Sequence, residues 1–78
     1  MKKIKYKSFF DSENKSFLIS VAIYKEDIFY KIITEIGSKG TLVYRMTEFD
    51  ANDFFNEEVK GIISDLNNRG VIFNTYEA

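Results

Sequence analysis

One change of rhythm constrains this chain more than anything else in it. Up to about residue 49 apolar side chains recur at every second position, and beyond it they recur at helical spacing. Phe17, Ile19, Val21 and Ile23 alternate with Leu18, Ser20, Ala22 and Tyr24, the period of a strand whose two faces meet different surroundings. Phe55, Val59, Ile62 and Leu66 stand at i, i+4, i+7 and i+11, and Phe54 and Ile63 widen the stripe. A lone helix with one apolar stripe must bury it against another layer, and here the other layer is a sheet.

The alternation predicts five strands around that helix. Lys3 to Ser8 reads as the first, with Ile4 and Tyr6 on one face and Lys3, Lys5 and Lys7 in a row on the other and along a sheet edge. Asp11 to Asn14 is a turn. Phe17 to Tyr24 is the second strand, its Phe17, Ile19, Val21 and Ile23 surface lying under the helix, and Lys25-Glu26-Asp27 is a short hairpin connection. Ile28 to Ile36 is the third, with Ile28, Tyr30, Ile32 and Ile36 on its apolar face and Phe29, Lys31, Ile33 and Glu35 on the other. Gly37 to Gly40 is a glycine turn. Thr41 to Phe49 is the fourth strand, with Leu42, Tyr44 and Met46 inward and Val43, Arg45 and Thr47 outward.

Asp50 is the expected N-cap, Gly70 fits the left-handed position past the helix end, and Val71 to Tyr76 is the fifth strand. Gly61 inside the helix marks close packing or a break into two shorter helices. The order ββββαβ with short connections defines an α+β protein: an antiparallel sheet of four to five strands with one helix packed on one face. Residues 1–78 form a single domain. The last strand is expected beside the first, in order 5-1-2-3-4, with pairing beside the fourth as the alternative.

Composition removes most catalytic classes. The 78 residues include no Cys, no His and no Pro, which excludes thiolate chemistry and the usual general base and metal ligand. No cofactor and no metal is implied. Asp53 and Glu57 share a helix face at i, i+4, a spacing open to Mg²⁺ or acid/base work but equally that of solvated residues near a helix start. The Asp50 to Glu58 stretch lacks the glycine and final glutamate of a calcium loop, and Gly37 to Thr41 lacks phosphate-loop spacing. The expectation is therefore a non-enzyme. Lysines interrupt any apolar export core near the start, and no stretch approaches a membrane span. A cytoplasmic location is expected, with no membrane partner.

Two surfaces remain as candidates. The sheet face away from the helix carries Leu18, Ala22, Tyr24, Phe29, Ile33 and Val43 among Lys31, Glu35 and Arg45, an apolar field rimmed by charge that suits a protein contact. The second is acidic: Glu48, Asp50, Asp53, Glu57 and Glu58 contain no basic residue between them and could imitate phosphates in a DNA-binding groove.

At MKKIKYKS, VAIYKED with Glu35 eleven residues after Tyr24, and EFDA before the helix, the chain resembles phage-encoded anti-CRISPR proteins that inhibit the type I-F surveillance complex. The resemblance covers residues 1–51. It implies four antiparallel strands followed by helices and action without catalysis. Such proteins dock on the repeated backbone subunits that hold the guide RNA and so hinder target DNA binding. It also implies a contact through two tyrosines and a glutamate, which match Tyr6, Tyr24 and Glu35. Two departures stand out: a strand is expected beyond Gly70 where the relatives end in helix, and regular alternation puts Tyr6 with Ile4, opposite Tyr24 and Glu35, unless a bulge re-aims it.

The expected function is that of a phage or mobile-element inhibitor, an anti-CRISPR acting in the cytoplasm of a bacterial host. It would bind a CRISPR-Cas effector complex and sterically block nucleic-acid target binding. Tyr6, Tyr24, Phe29, Lys31, Glu35 and Arg45 are the expected partner-binding residues. The alternatives are a dimerising interaction module of phage origin and a small single-stranded nucleic-acid-binding protein.

Overall fold

The structure, a computed structural model, describes residues 2–78. Its elements are β1 (Lys2–Asp11), β2 (Phe17–Glu26), β3 (Phe29–Ile36), β4 (Gly40–Met46), α1 (Glu48–Asn68) and β5 (Phe73–Glu77). All neighbouring strands are antiparallel, in the order β4-β3-β2-β1-β5. The last strand does return beside the first, and the α+β class is as expected.

The helix lies over one face, chiefly across β2 and β3. Its Ala51, Phe55, Ile62 and Leu66 meet Val21 and Ile23 of β2, Ile32 of β3 and Phe9 of β1 in one buried cluster. Burying each of the larger side chains contributes roughly 1.5–3 kcal/mol, which is why a one-helix, one-sheet layer suffices to hold so short a chain. Ile23 opposes Ile32 and Val21 opposes Thr34 across the β2–β3 ladder, so one phase of the alternation supplies the core.

The helix ends differ from expectation at one side only. Thr47, not Asp50, is the N-cap: its Oγ1 accepts the Asp50 N–H at 3.4 Å. Asp50 is instead the third helical residue, where a carboxylate faces the positive end of the helix dipole. Strand β4 consequently stops at Met46, three residues before the expected Phe49. At the other end Gly70 takes φ +73°. Its N–H bonds to the Asn67 carbonyl at 3.0 Å and that of Val71 to the Leu66 carbonyl at 2.9 Å, a Schellman cap. Gly61 neither breaks the helix nor touches the sheet; it is exposed, with open space where a Cβ would stand.

Two register slips reorganise the faces of β1 and β2. Lys3 pairs with Tyr24 and Lys5 with Ile23, leaving Ile4 as an extra residue in β1. Phe9 pairs with Ile19 and Phe10 with Phe17, leaving Leu18 as an extra residue in β2. Each bulge reverses the phase beyond it. Ile4 stays on the helix side beside Ala51 and Ile23, whereas Tyr6 passes to the outer face. Phe17 leaves the expected buried surface and meets Phe10 with rings 5.8 Å apart, and Leu18 leaves the expected outer face and packs against the core.

The expected row of lysines is broken by the same slip. Lys3 sits over the Tyr6 ring at 4.7 Å on the outer face. Lys5 lies over Phe55 at 4.9 Å, and Lys7 reaches Glu77 at 2.8 Å, both on the helix side. Their stems cover apolar surface while the ammonium groups stay at the rim. Ile28, expected to begin the third strand, is exposed in the turn, next to Asp27 at φ +56°.

Candidate functional site

The sheet face turned away from α1 is covered by no other element among the described residues. Cross-strand register builds it in rows. Lys3, Tyr24, Lys31 and Arg45 form one row; Tyr6, Ala22, Ile33 and Val43 form the next; Ser8, Ser20, Glu35 and Thr41 form the third. Tyr6 is therefore the diagonal neighbour of Tyr24 around Ala22, and Glu35 stands one row further on. All six expected partner-binding residues, Tyr6, Tyr24, Phe29, Lys31, Glu35 and Arg45, lie on this face.

The centre of the face is low and its margins are high. Ser8, Ser20 and Ala22 are small and buried, at 0, 4 and 4% exposure. Around them stand Tyr6, Tyr24 and Ile33, with Phe10, Phe17 and Tyr76 toward the far end. Tyr6 is braced from two directions, by Lys3 over its ring and by Tyr76 edge-on at 6.3 Å. A half-buried tyrosine held this way has little rotamer freedom left to lose on binding a partner, which favours it as an anchor. The Ser8 hydroxyl at the floor makes no hydrogen bond to the rest of the described chain.

Charge is arranged at one end. Glu26, expected in the hairpin connection, belongs to β2 and takes Lys31 Nζ at 3.0 Å and Arg45 Nε at 4.0 Å. The hydrogen bond from Lys31 holds the Glu26 carboxyl below the usual glutamate range; burial opposes it, and the charges of Lys31 and Arg45 add smaller lowering effects. Continuing the two-residue alternation from Tyr24 for one more step was the signal that would have found it. Glu35 is exposed and enters no ion pair among the described residues.

The acidic segment is split by the helix. Asp50, Asp53 and Glu57, at spacings of three and four, form one exposed stripe on the solvent side of α1. Glu58 is half-buried at its flank, Glu48 lies in the first turn, and Glu57 approaches Lys60 at 3.8 Å. Asp53 and Glu57 are not joined by any third ligand-bearing side chain into a metal-binding group among the described residues. No helix of the described chain is long and apolar enough to cross a membrane.

Fold and site together define a class: an α+β protein with a one-sided sheet that presents a tyrosine-lined, charge-flanked outer surface. No protein-family model, curated protein or solved structure matches the chain.

Proposed function

We propose that the protein is a non-enzymatic inhibitor of phage or mobile-element origin. It acts as an anti-CRISPR in the cytoplasm of a bacterial host by docking its open sheet face on a CRISPR-Cas surveillance complex. The observation that supports this reading is the placement of Tyr6, Tyr24 and Glu35 on one uncovered surface. Regular alternation would have separated them, and the slip at Ile4 unites them. Tyr6 and Tyr24 are aromatic anchors beside a floor of small side chains, and the unpaired Glu35 suits a basic residue of the partner that otherwise serves nucleic acid. The protein then blocks target DNA by occupying space.

The test is target-DNA binding by type I surveillance complexes with and without the protein, repeated with Tyr6→Ala, Tyr24→Ala and Glu35→Ala. Inhibition that each substitution relieves is the expected result. Failure to co-purify with, or inhibit, any of several type I complexes would remove the reading. A second reading places phosphate mimicry on the exposed stripe of Asp50, Asp53 and Glu57. Charge reversal at Asp53 and Glu57 abolishes inhibition in that case and leaves it intact in the first.

A further inference from the structure

The two edges of the sheet are finished differently. Strand β5 is short, and along it Asn74, Thr75 and Glu77 are polar, with Glu77 tied to Lys7. Strand β4 is the other edge, and apart from the charge of Arg45 it carries no device against foreign pairing. Its sequence GTLVYRM holds no Lys and no Pro, and its seven residues pair with β3 without a register slip. Apolar side chains on both faces of this edge are partly exposed: Leu42, Val43 and Tyr44 are 45, 48 and 40% exposed, with Tyr44 lying against Phe54 of α1 at 4.9 Å between rings. Every second residue of an edge strand also carries a backbone N–H and C=O with no strand to bond.

We infer that β4 is a homodimer edge, pairing antiparallel with β4 of a second copy about a two-fold axis beside Val43. The sequence is self-complementary in that register. Leu42 on the helix side opposes Tyr44 of the second copy, an aliphatic–aromatic pair in each direction, and Val43 opposes its own counterpart on the outer side. Arg45 opposes Thr41 of the second copy, and Thr41 neighbours Glu35 in its own sheet. Arg45, held to Glu26 only at 4.0 Å, thus comes within reach of the unpaired Glu35 of the other subunit, twice per dimer. No like charges face each other. A contact of β4 with β5 of another copy would be heterologous and open-ended, and the polar, shorter β5 does not match Leu42, Val43 and Tyr44. The β4 pairing closes, and it joins two five-stranded sheets into one ten-stranded sheet with both outer faces on the same side.

Sedimentation equilibrium of the protein alone tests this, with no CRISPR component present, so that its outcome is independent of the proposed inhibitor role. Dimers at tens of micromolar are expected. Val43→Lys, on an exposed position where the monomer fold is not at stake, is expected to weaken association by roughly tenfold or more. Arg45→Glu weakens it, and Arg45→Glu combined with Glu35→Arg restores it, a rescue that only the cross-subunit charge pair produces. Amide exchange supplies a second readout: alternate β4 amides gain protection as concentration rises. A monomer throughout the concentration range, or a dimer indifferent to Val43→Lys with no charge-swap rescue, overturns the inference.

Discussion

Val21 and Ala22 are adjacent in the chain, and neither is more than 4% exposed, yet they belong to surfaces with opposite tasks. Val21 lies beneath α1 in the cluster that holds the fold together. Ala22 is buried only by its neighbours on the open side, as part of the floor beneath Tyr6 and Tyr24. Large apolar residues fill the first surface and are surrounded; small residues line the second, and large ones stand up around them. Low exposure in a one-sided sheet thus has two sources, a roof or a crowd, and the roofed side, which buries the larger apolar side chains, carries the greater share of the folding free energy.

The sharpest way to break this contrast is to truncate each face in turn. Phe9→Ala on the roofed side is expected to cost about 3–5 kcal/mol and Ile32→Ala about 2–5 kcal/mol, read by urea denaturation. Losses of that size threaten a small domain with unfolding. Tyr24→Ala on the open side should cost less than about 1 kcal/mol in the same measurement while reducing partner affinity by roughly 2 kcal/mol or more. Equal stability losses on the two faces would erase the distinction.

Next in size is the helix cap that fixes the roof. Thr47→Ala removes the side-chain acceptor for the Asp50 N–H and should destabilise by about 1 kcal/mol, whereas Asp50→Ala should cost less than that, because Asp50 is not the cap. The reverse order, measured by thermal denaturation, would return the cap to Asp50. Smaller still is Ser8→Ala on the open floor. Its hydroxyl has no partner among the described residues, so the change should be neutral or slightly stabilising.

A last, small effect is electrostatic, and each face has one instance. Lys31 holds the Glu26 carboxyl low on the open side, and Lys7 holds that of Glu77 low on the helix side, in both cases chiefly through a side-chain hydrogen bond. A carboxylate with a lowered folded-state pKa contributes stability that is present above its ordinary range, about 4.3, and is lost as the pH falls through the lowered value. The contribution of these two carboxylates to stability should thus be flat from neutral pH to about 5 and decline below about 4. Glu26→Gln and Glu77→Gln should each flatten part of that acid limb. Both side chains are more than a third exposed, so the steps are small.

Much of this arrangement was legible in the sequence. The period of two, the switch to a helical stripe at Phe55, Val59, Ile62 and Leu66, and the glycine at position 70 determined the ββββαβ order, the antiparallel sheet and most of the core. They did so because each signal is local: side chains that must share a face must recur at the period of their backbone. The position of Glu35 beside Tyr24's face was legible for the same reason.

Tertiary structure alone decided the phase of β1 and the start of β2. Ile4 and Tyr6 look equivalent in an alternating segment, as do Phe17 and Ile19. Which of them faces the helix depends on where one residue is left out of the ladder. The slip at Ile4 places Phe9 in the buried cluster with α1, and Lys5 and Lys7 at its rim. A bulge costs a single hydrogen-bonded step and inverts every side chain beyond it. A local pattern therefore cannot register it, and the docking of the helix can.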